Sequence, residues 1–527
     1  MVHWRACSLA LLPVILSGAA SYPMASPAER KQTLQRFREA AKRSVGPRSG
    51  DLFALPEQYN FFVEKSYSTP ATASVPIKGA WQEIETRGTV HATSWDYDSR
   101  IPLVFYGPGY VPAGKTVNAP VTQQDLVPTY AHLLKVEPPE DAAGRPLEEG
   151  LKANPLPPKA ILTVVFDQGG EAMLRYHPHS TPFVRSLMAR GTAFTQARVT
   201  HADAETFVGH IGIGTGAYPG KHGVPANNLW LSSRGGRFES VDGETAPSPV
   251  LVESPSFADL WLRSTKNRAI VVGQSLADRA AIGMVGHGSL YRKNKKPFLE
   301  FFDSNQGVWS TNDRFYALHE ALKPFDWKPY AERFTRGTGL WLGHKIDSPS
   351  SFRRSAAVSA FEGEAFRAVL AQEPVGQDEV TDLLFLSFKG SDYVGHTYGQ
   401  ESREVEETLQ AQDAQLRSVV EQLEEKVGKD RLFVIFTADH GGAPLPELSG
   451  GVRLIDQQLL QAIDRKFDHL DNGVPLAEQA GGTQIFLHDR ELRANRVTLQ
   501  EVKSFLKGFK VQGKPFFAEV FTRDELK

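Results

Sequence analysis

The sequence predicts an α/β protein, a three-layer sandwich built around a mainly parallel sheet. Two observations carry this. Short apolar runs recur in its second part (AILTVVF, RAIVVGQ, DLLFLSF, RLFVIFT and TQIFLH), and helical patterns lie between several of them. Strands that are apolar throughout and alternate with amphipathic helices belong to a parallel sheet covered on both faces. The length, 527 residues, is too great for one small core and fits a large domain with insertions, or two domains.

The elements follow in chain order. Residues 1–20 have the form of a secretory leader: Arg5 precedes the apolar SLALLPVILSGAA, which ends in small residues. That run is too short to anchor in a bilayer and is interrupted by Pro13. A secreted or periplasmic location is therefore expected, with no membrane anchor after cleavage. The one cysteine, Cys7, lies within the leader, so metal ligands or nucleophiles must be His, Asp, Glu or hydroxyl groups. Residues 26–45 predict a helix: Ser26 caps it, Pro27 suits its first turn, and Leu34, Phe37 and Ala41 recur at helical spacing. In 48–150, DLFALP and IPLVFYGPG predict strands, and QQDLVPTYAHLLKV a helix.

The Pro-rich 151–159 predicts a linker, and 160–287 with 381–527 the main domain. REVEETLQAQDAQLRSVVEQLEEKVG is the clearest helix, with Val405, Leu409, Leu416, Val420, Leu423 and Val427 on one face. Residues 288–380, rich in aromatic and basic side chains, break the strand–helix rhythm and predict a cap-like insertion. Hydrophobic residues are 41%, charged residues 23% and the net charge is -2, so nothing points to binding of a nucleic-acid polymer. Oligomeric state is not legible.

In open parallel sheets, ligands bind beyond the carboxyl ends of the strands. Asp167 follows ILTVVF, Asp392 comes shortly after LLFLSF, and Asp439 and His440 follow LFVIFTA. Three carboxylates thus converge at one edge. Two like charges about 4 Å apart repel by about 4 kcal/mol at an effective dielectric near 20, so the cluster needs cations. Two divalent ions supply them, and a thiolate-free set of His and Asp favours Zn²⁺ over Mn²⁺ or Fe.

The segments TPFVRSLMARGTAFTQARVT, ETFVGHIGIGTGAYPGKHGVPANN, SLADRAAIGMVGH, SDYVGHTYG and FTADHGG resemble the alkaline phosphatase superfamily, in particular its type I phosphodiesterase/nucleotide pyrophosphatase and related phosphatase branch. The resemblance implies an alkaline phosphatase-like fold and a phosphate-ester hydrolase acting on small substrates. It makes Thr206 the nucleophile and a ligand of one metal with Asp167, Asp439 and His440. Asp392 and His396 become ligands of the other metal, and Asn227 a donor to a phosphoryl oxygen. His210 and His222 fall at structural positions. The family's remaining imidazole stands in a G-T-x-H-G segment after the Asp-His pair. Here GTVHATSWDYDSRIPLVFYGPG offers His91, but ahead of Asp167, and neither His469 nor His488 has the flanking pattern. The family's R-S-G-D segment, expected beyond VFTRDELK, stands instead at Arg48–Asp51. A circularly permuted chain is expected, with 48–150 as the displaced part.

Near SLADR, Ala277 stands where monoester-specific relatives carry a Lys, while Arg279 remains as a substrate contact. That loss favours phosphodiester or nucleotide pyrophosphate substrates over an alkaline phosphatase-type phosphomonoesterase. A sulfatase is disfavoured, because AETFVGH lacks the C/S-x-P-x-R motif. The alternative of another class is a zinc-binding pseudoenzyme without turnover.

Overall fold

The computed structural model describes residues 22–65, 68–231, 236–242, 246–291, 296–470 and 472–527. The expected leader and the basic stretch 292–295 lie outside them. Helix α1 (Pro27–Ser44) starts at a reciprocal cap, in which the Ser26 side chain accepts from the Glu29 N–H and the Glu29 side chain returns to the Ser26 N–H. Strand β1 (Leu52–Pro56) follows.

Next come β2 (Leu103–Tyr106), β3 (Lys115–Thr122) and helix α2 (Leu126–Leu134). After the irregular 151–159, the chain builds β4 (Ala160–Phe166), α3 (Pro182–Arg190), β5 (Thr192–Arg198) and α4 (Thr206–Thr215). Strand β6 (Val271–Ser275), α5 (Asp278–Val285), β7 (Phe298–Asp303) and β8 (Val308–Ser310) come next. Helix α6 (Ala357–Gln372), β9 (Asp382–Phe388), α7 (Gly390–Tyr398), α8 (Arg403–Val427) and β10 (Leu432–Thr437) complete this part.

The central sheet has nine strands in the order β8-β7-β6-β9-β4-β10-β2-β5-β3. The run β7-β6-β9-β4-β10 is parallel throughout. Its carboxyl ends therefore share one edge, which is why Asp167, Asp392 and Asp439 can meet. Strand β2 is antiparallel to both its neighbours and closes the gap between β10 and β5.

Every residue of β4 and β10 is buried, and alternate side chains enter opposite layers. Ile161, Val165, Phe433 and Ile435 pack with α2, α4 and α5; Leu162, Val164, Val434 and Phe436 pack with α3, α6 and α8. Fully burying one such side chain contributes about 1.5–3 kcal/mol.

Two expectations need correction. TQIFLH is a strand, β12 (Gln484–Leu487), but not of the central sheet. It turns back on β11 (Ala477–Gly481) and joins β1 and β13 (Phe517–Thr522) in a separate antiparallel sheet with its own core. A tight hairpin enforces antiparallel pairing, and a run of apolar residues does not reveal that. The segment 288–380 does not stand apart as a cap. It adds β7 and β8 to the edge of the central sheet and α6 to the helical layer against α8. The buried Phe361, Phe366 and Val369 of α6 make that segment part of the main core.

Candidate active site

The carboxylates are placed by strand ends and the imidazoles by backbone carbonyls. Asp439 Oδ1 accepts from the backbone N–H groups of Gln168 (3.0 Å) and His440 (2.9 Å). Its Oδ2 is left facing His440 Nε2 at 3.2 Å and His210 Nδ1 at 3.4 Å. Asp167 Oδ1 lies 3.8 Å from His440 Nε2. Asp392 Oδ1 lies 3.3 Å from His396 Nε2 and 3.9 Å from His91 Nε2. His91, expected from a distant part of the chain, is thus beside Asp392 and His396.

Each of these three imidazoles gives Nδ1 to a main-chain oxygen: His91 to Ala204 (2.6 Å), His396 to Thr89 (2.7 Å) and His440 to Gly441 (2.8 Å). That bond fixes the ring and turns Nε2 inward, the arrangement typical of metal-ligating histidine. The loop carrying His91 is pressed onto α7. Thr89 N–H donates to the His396 carbonyl, and Gly88 (φ 70°) approaches so closely that a Cβ would overlap that oxygen.

Two sets of ligand atoms lie within 4.8 Å of one another: Asp167, Asp439 and His440, and His91, Asp392 and His440. His440 sits where they meet, its ring stacked on that of His91 at 3.7 Å. Asp167 Oδ1, Asp392 Oδ1 and Asp439 Oδ2 are buried without a hydrogen-bond donor. Orphaned carboxylate oxygens facing inward-turned imidazole nitrogens fit divalent cations.

The electrostatics agree. Burial and the neighbouring Asp439 push the Asp167 carboxyl well above the usual range. Burial would also raise Asp392, but Lys389 and His396 hold it well below that range. Burial and His440 push His91 well down, whereas His440, although buried, is raised to about 9 by Asp439. Opposed shifts within one buried cluster mark a candidate functional site.

Thr206 is the first residue of α4, whose N-terminal dipole favours an anion. Its side chain caps no backbone group. Its Oγ1 lies 3.4 Å from His440 Nε2 and accepts from Lys389 Nζ at 3.0 Å. Asn227 is fixed by its carbonyl, which accepts from the Phe207 N–H (2.9 Å), and its NH₂ is the donor that remains for an anion. Arg279 is ion-paired to Glu239 at 3.4 Å.

His210 bonds the Thr206 carbonyl and Ser387 and is buried; His222 is buried and accepts from the Val224 N–H. His469 is set by Asn495, and His488 lies 3.9 Å from Glu478, both apart from the cluster. Sequence reasoning missed Lys389, whose signal was a lysine at the end of an apolar strand, three residues before Asp392. It also missed Gln123, whose Nε2 donates to the carbonyls of Ala438 and Asp439.

The geometry is that of a candidate metal-binding cluster at the carboxyl edge of a parallel sheet. The sequence pattern of the type I phosphodiesterase / nucleotide pyrophosphatase family matches residues 161–527, and the chain belongs to that family. It is 27% identical over 355 residues to alkaline phosphatase PhoK of Sphingomonas sp., a match covering 62% of each chain. It is 25% identical over 348 residues to alkaline phosphatase PafA of Elizabethkingia meningoseptica, covering 55% of this chain and 61% of that one. The matches thus span less than two thirds of these relatives' length. The crystal structure of PafA superposes with a TM-score of 0.53 at 20% identity, covering 67% of this chain and 76% of that one, and shares the fold.

Proposed function

We propose that this chain is a phosphate-ester hydrolase acting through a phosphorylated Thr206, with two divalent cations, zinc being the metal the ligands suit best. The observation that carries this reading is the position of Thr206 Oγ1, at a helix N-terminus beside the junction of the two ligand sets. Asp167, Asp439 and His440 would hold one cation, and Asp392, His396 and His91 the other. When bound, the cations neutralise the carboxylates and act as Lewis acids.

Thr206 Oγ1 attacks phosphorus, and the ester oxygen leaves with its electron pair. Asn227 donates to a phosphoryl oxygen as charge builds there. Water then attacks this phosphorus and the bond to Oγ1 breaks, which restores the hydroxyl and releases phosphate from a monoester, or a phosphomonoester from a diester or nucleotide pyrophosphate. Arg279, on α5 and ion-paired to Glu239, would be a further contact for the phosphate oxygens of the substrate. Ala277, which brings no charge, by itself favours a phosphodiester or nucleotide pyrophosphate. Export, expected from the first twenty residues, belongs to the same proposal.

We also read the chain as circularly permuted. Its family match begins at residue 161, yet the preceding part supplies β2, His91 and Gln123 to the same sheet edge. The Arg523 N–H donates to the Asp51 carbonyl at 2.8 Å, so the end of the chain adjoins the displaced RSGD segment.

The decisive variant is Thr206→Ala. It should lower kcat for an aryl phosphate by at least about 10³-fold, as loss of a nucleophile does, while elemental analysis finds its metal content unchanged. Turnover within tenfold of the parent would remove Thr206 as nucleophile.

A further inference from the structure

Lys389 brings a side-chain ammonium into the cluster of carboxylates. It follows β9 directly and is buried to 4% exposure. Its Nζ lies 2.8 Å from Asp167 Oδ2, 2.8 Å from Asp392 Oδ2 and 3.0 Å from Thr206 Oγ1. The two carboxylates therefore divide their oxygens: Oδ1 faces the imidazoles, and Oδ2 faces the lysine. The ammonium thus sits beside the candidate cation positions without taking the oxygens they need. Its third contact is the hydroxyl proposed to attack phosphorus, and any phosphoryl group joined to that oxygen must bring its own oxygens within reach of Nζ.

The place of the lysine is held from the main chain. The Lys389 N–H donates to Glu362 Oε1 at 2.9 Å, and the ammonium lies 5.5 Å from the centre of the Tyr393 ring. At position 277, where monoester-specific relatives carry a lysine, Ala277 is buried before α5 and brings no charge.

We propose that Lys389 is a catalytic residue of this chain that contacts the transferred phosphoryl group and Thr206, replaces the cation absent at position 277, and directs the site to dianionic phosphate monoesters. The inference rests on the reading of Thr206 as nucleophile. Charge decides the substrate class. Two divalent ions against three carboxylates leave one positive charge, enough for a diester monoanion. Lys389 adds a second, which matches a monoester dianion. In the transfer step the Oγ–P bond forms, the P–O bond to the leaving group breaks, and the Thr206 proton passes to solvent as its oxygen ionises. The ammonium keeps its protons and only donates hydrogen bonds.

The test uses the full chain reconstituted with Zn²⁺, assayed on p-nitrophenyl phosphate and bis(p-nitrophenyl) phosphate, with metal content and calorimetric binding of inorganic phosphate measured on each variant. Lys389→Ala should lose about 10²–10³-fold in kcat/KM for the monoester, the range for removing one transition-state donor, and at most about tenfold for the diester. It should also bind phosphate at least about tenfold more weakly. Ala277→Lys placed in Lys389→Ala should recover at least about tenfold of the monoester rate, and Lys389→Arg should keep part of it. Equal losses on both esters, with or without loss of metal, would make Lys389 a counterion of the carboxylates only and overturn the proposal. So would unchanged phosphate affinity. If the parent hydrolyses neither ester, the reading of Thr206 falls, while a weaker phosphate affinity in Lys389→Ala would still uphold the contact to the anion.

Discussion

At the scale of single residues, the identity of a candidate ligand was legible but its orientation was not. Asp167, Asp392, Asp439 and His440 stood out together, because one acidic residue after a strand is commonly a turn or cap, whereas three at the carboxyl ends of parallel strands converge on one edge. His91 was found by its flanking GTVH pattern. The three carbonyls that aim the rings, from Thr89, Ala204 and Gly441, carry no sequence signal, since every residue has one. Lys389 was overlooked because a lone lysine after a strand ordinarily reaches solvent, whereas here three oxygens hold it inside. The ring of His91 gives a direct check. His91→Ala should lower bound zinc by about one ion per chain, as loss of a metal ligand does, and cut turnover strongly. His469→Ala should change neither. A His91→Ala protein with full metal content would place that imidazole outside the centre.

At the scale of elements, most strands and long helices could be read from periodicity, and failures came where pairing depends on distant chain. The burial of Val405, Leu409, Leu416, Val420, Leu423 and Val427 on α8 follows the helical period. The pairing of β12 with β11 and β1 does not follow from its own residues. Nor does the joint that α6 makes through Glu362. Its Oε1 accepts from the N–H groups of Lys389 (2.9 Å) and Leu276 (3.4 Å), so one carboxyl ties a helix to the ends of two parallel strands. Burial pushes this carboxyl up to about 8, despite the lowering effect of those bonds.

The sign of the consequence is clear. Between the ordinary glutamate range and about pH 8, the folded chain keeps a proton that the unfolded chain releases. Stability contributed by Glu362 is therefore full in acid and falls as pH rises through that window. Glu362→Gln keeps an accepting oxygen but has no proton to lose. In chelator-treated protein, the fall in Tm from about pH 5 to about pH 8 should be visibly smaller in Glu362→Gln than in the parent. Identical slopes would mean that another group governs that window.

At the scale of the whole molecule, the candidate site draws its residues from both parts of the chain, His91 from the first and Asp392 and His396 from the second. Strand β2 lies between β10 and β5, so the first part of the chain completes a sheet whose other central strands come after residue 159. The first and last described elements are close in structure: β1 pairs with β13, and the ring of Phe37 lies 6.0 Å from that of Phe521. The connection at 151–159 has no regular structure and carries no site residue. It can therefore be opened without breaking a hydrogen-bonded element, and a flexible join elsewhere adds only a weak, logarithmic cost in chain entropy.

This makes the proposed permutation testable by reversing it. A chain begun at Lys159, continued through Lys527 and joined by about ten Gly/Ser residues to Ser26 should fold, bind the same metal per chain and hydrolyse its preferred ester within about tenfold of the parent, because no ligand, capping residue or strand pair is changed. A parent-order chain carrying the same Gly/Ser insert within 151–159 controls for the linker. If that control is active and the reordered chain is insoluble or binds no metal, the present order is itself a requirement of folding, and the two orders are not alternative paths through one structure.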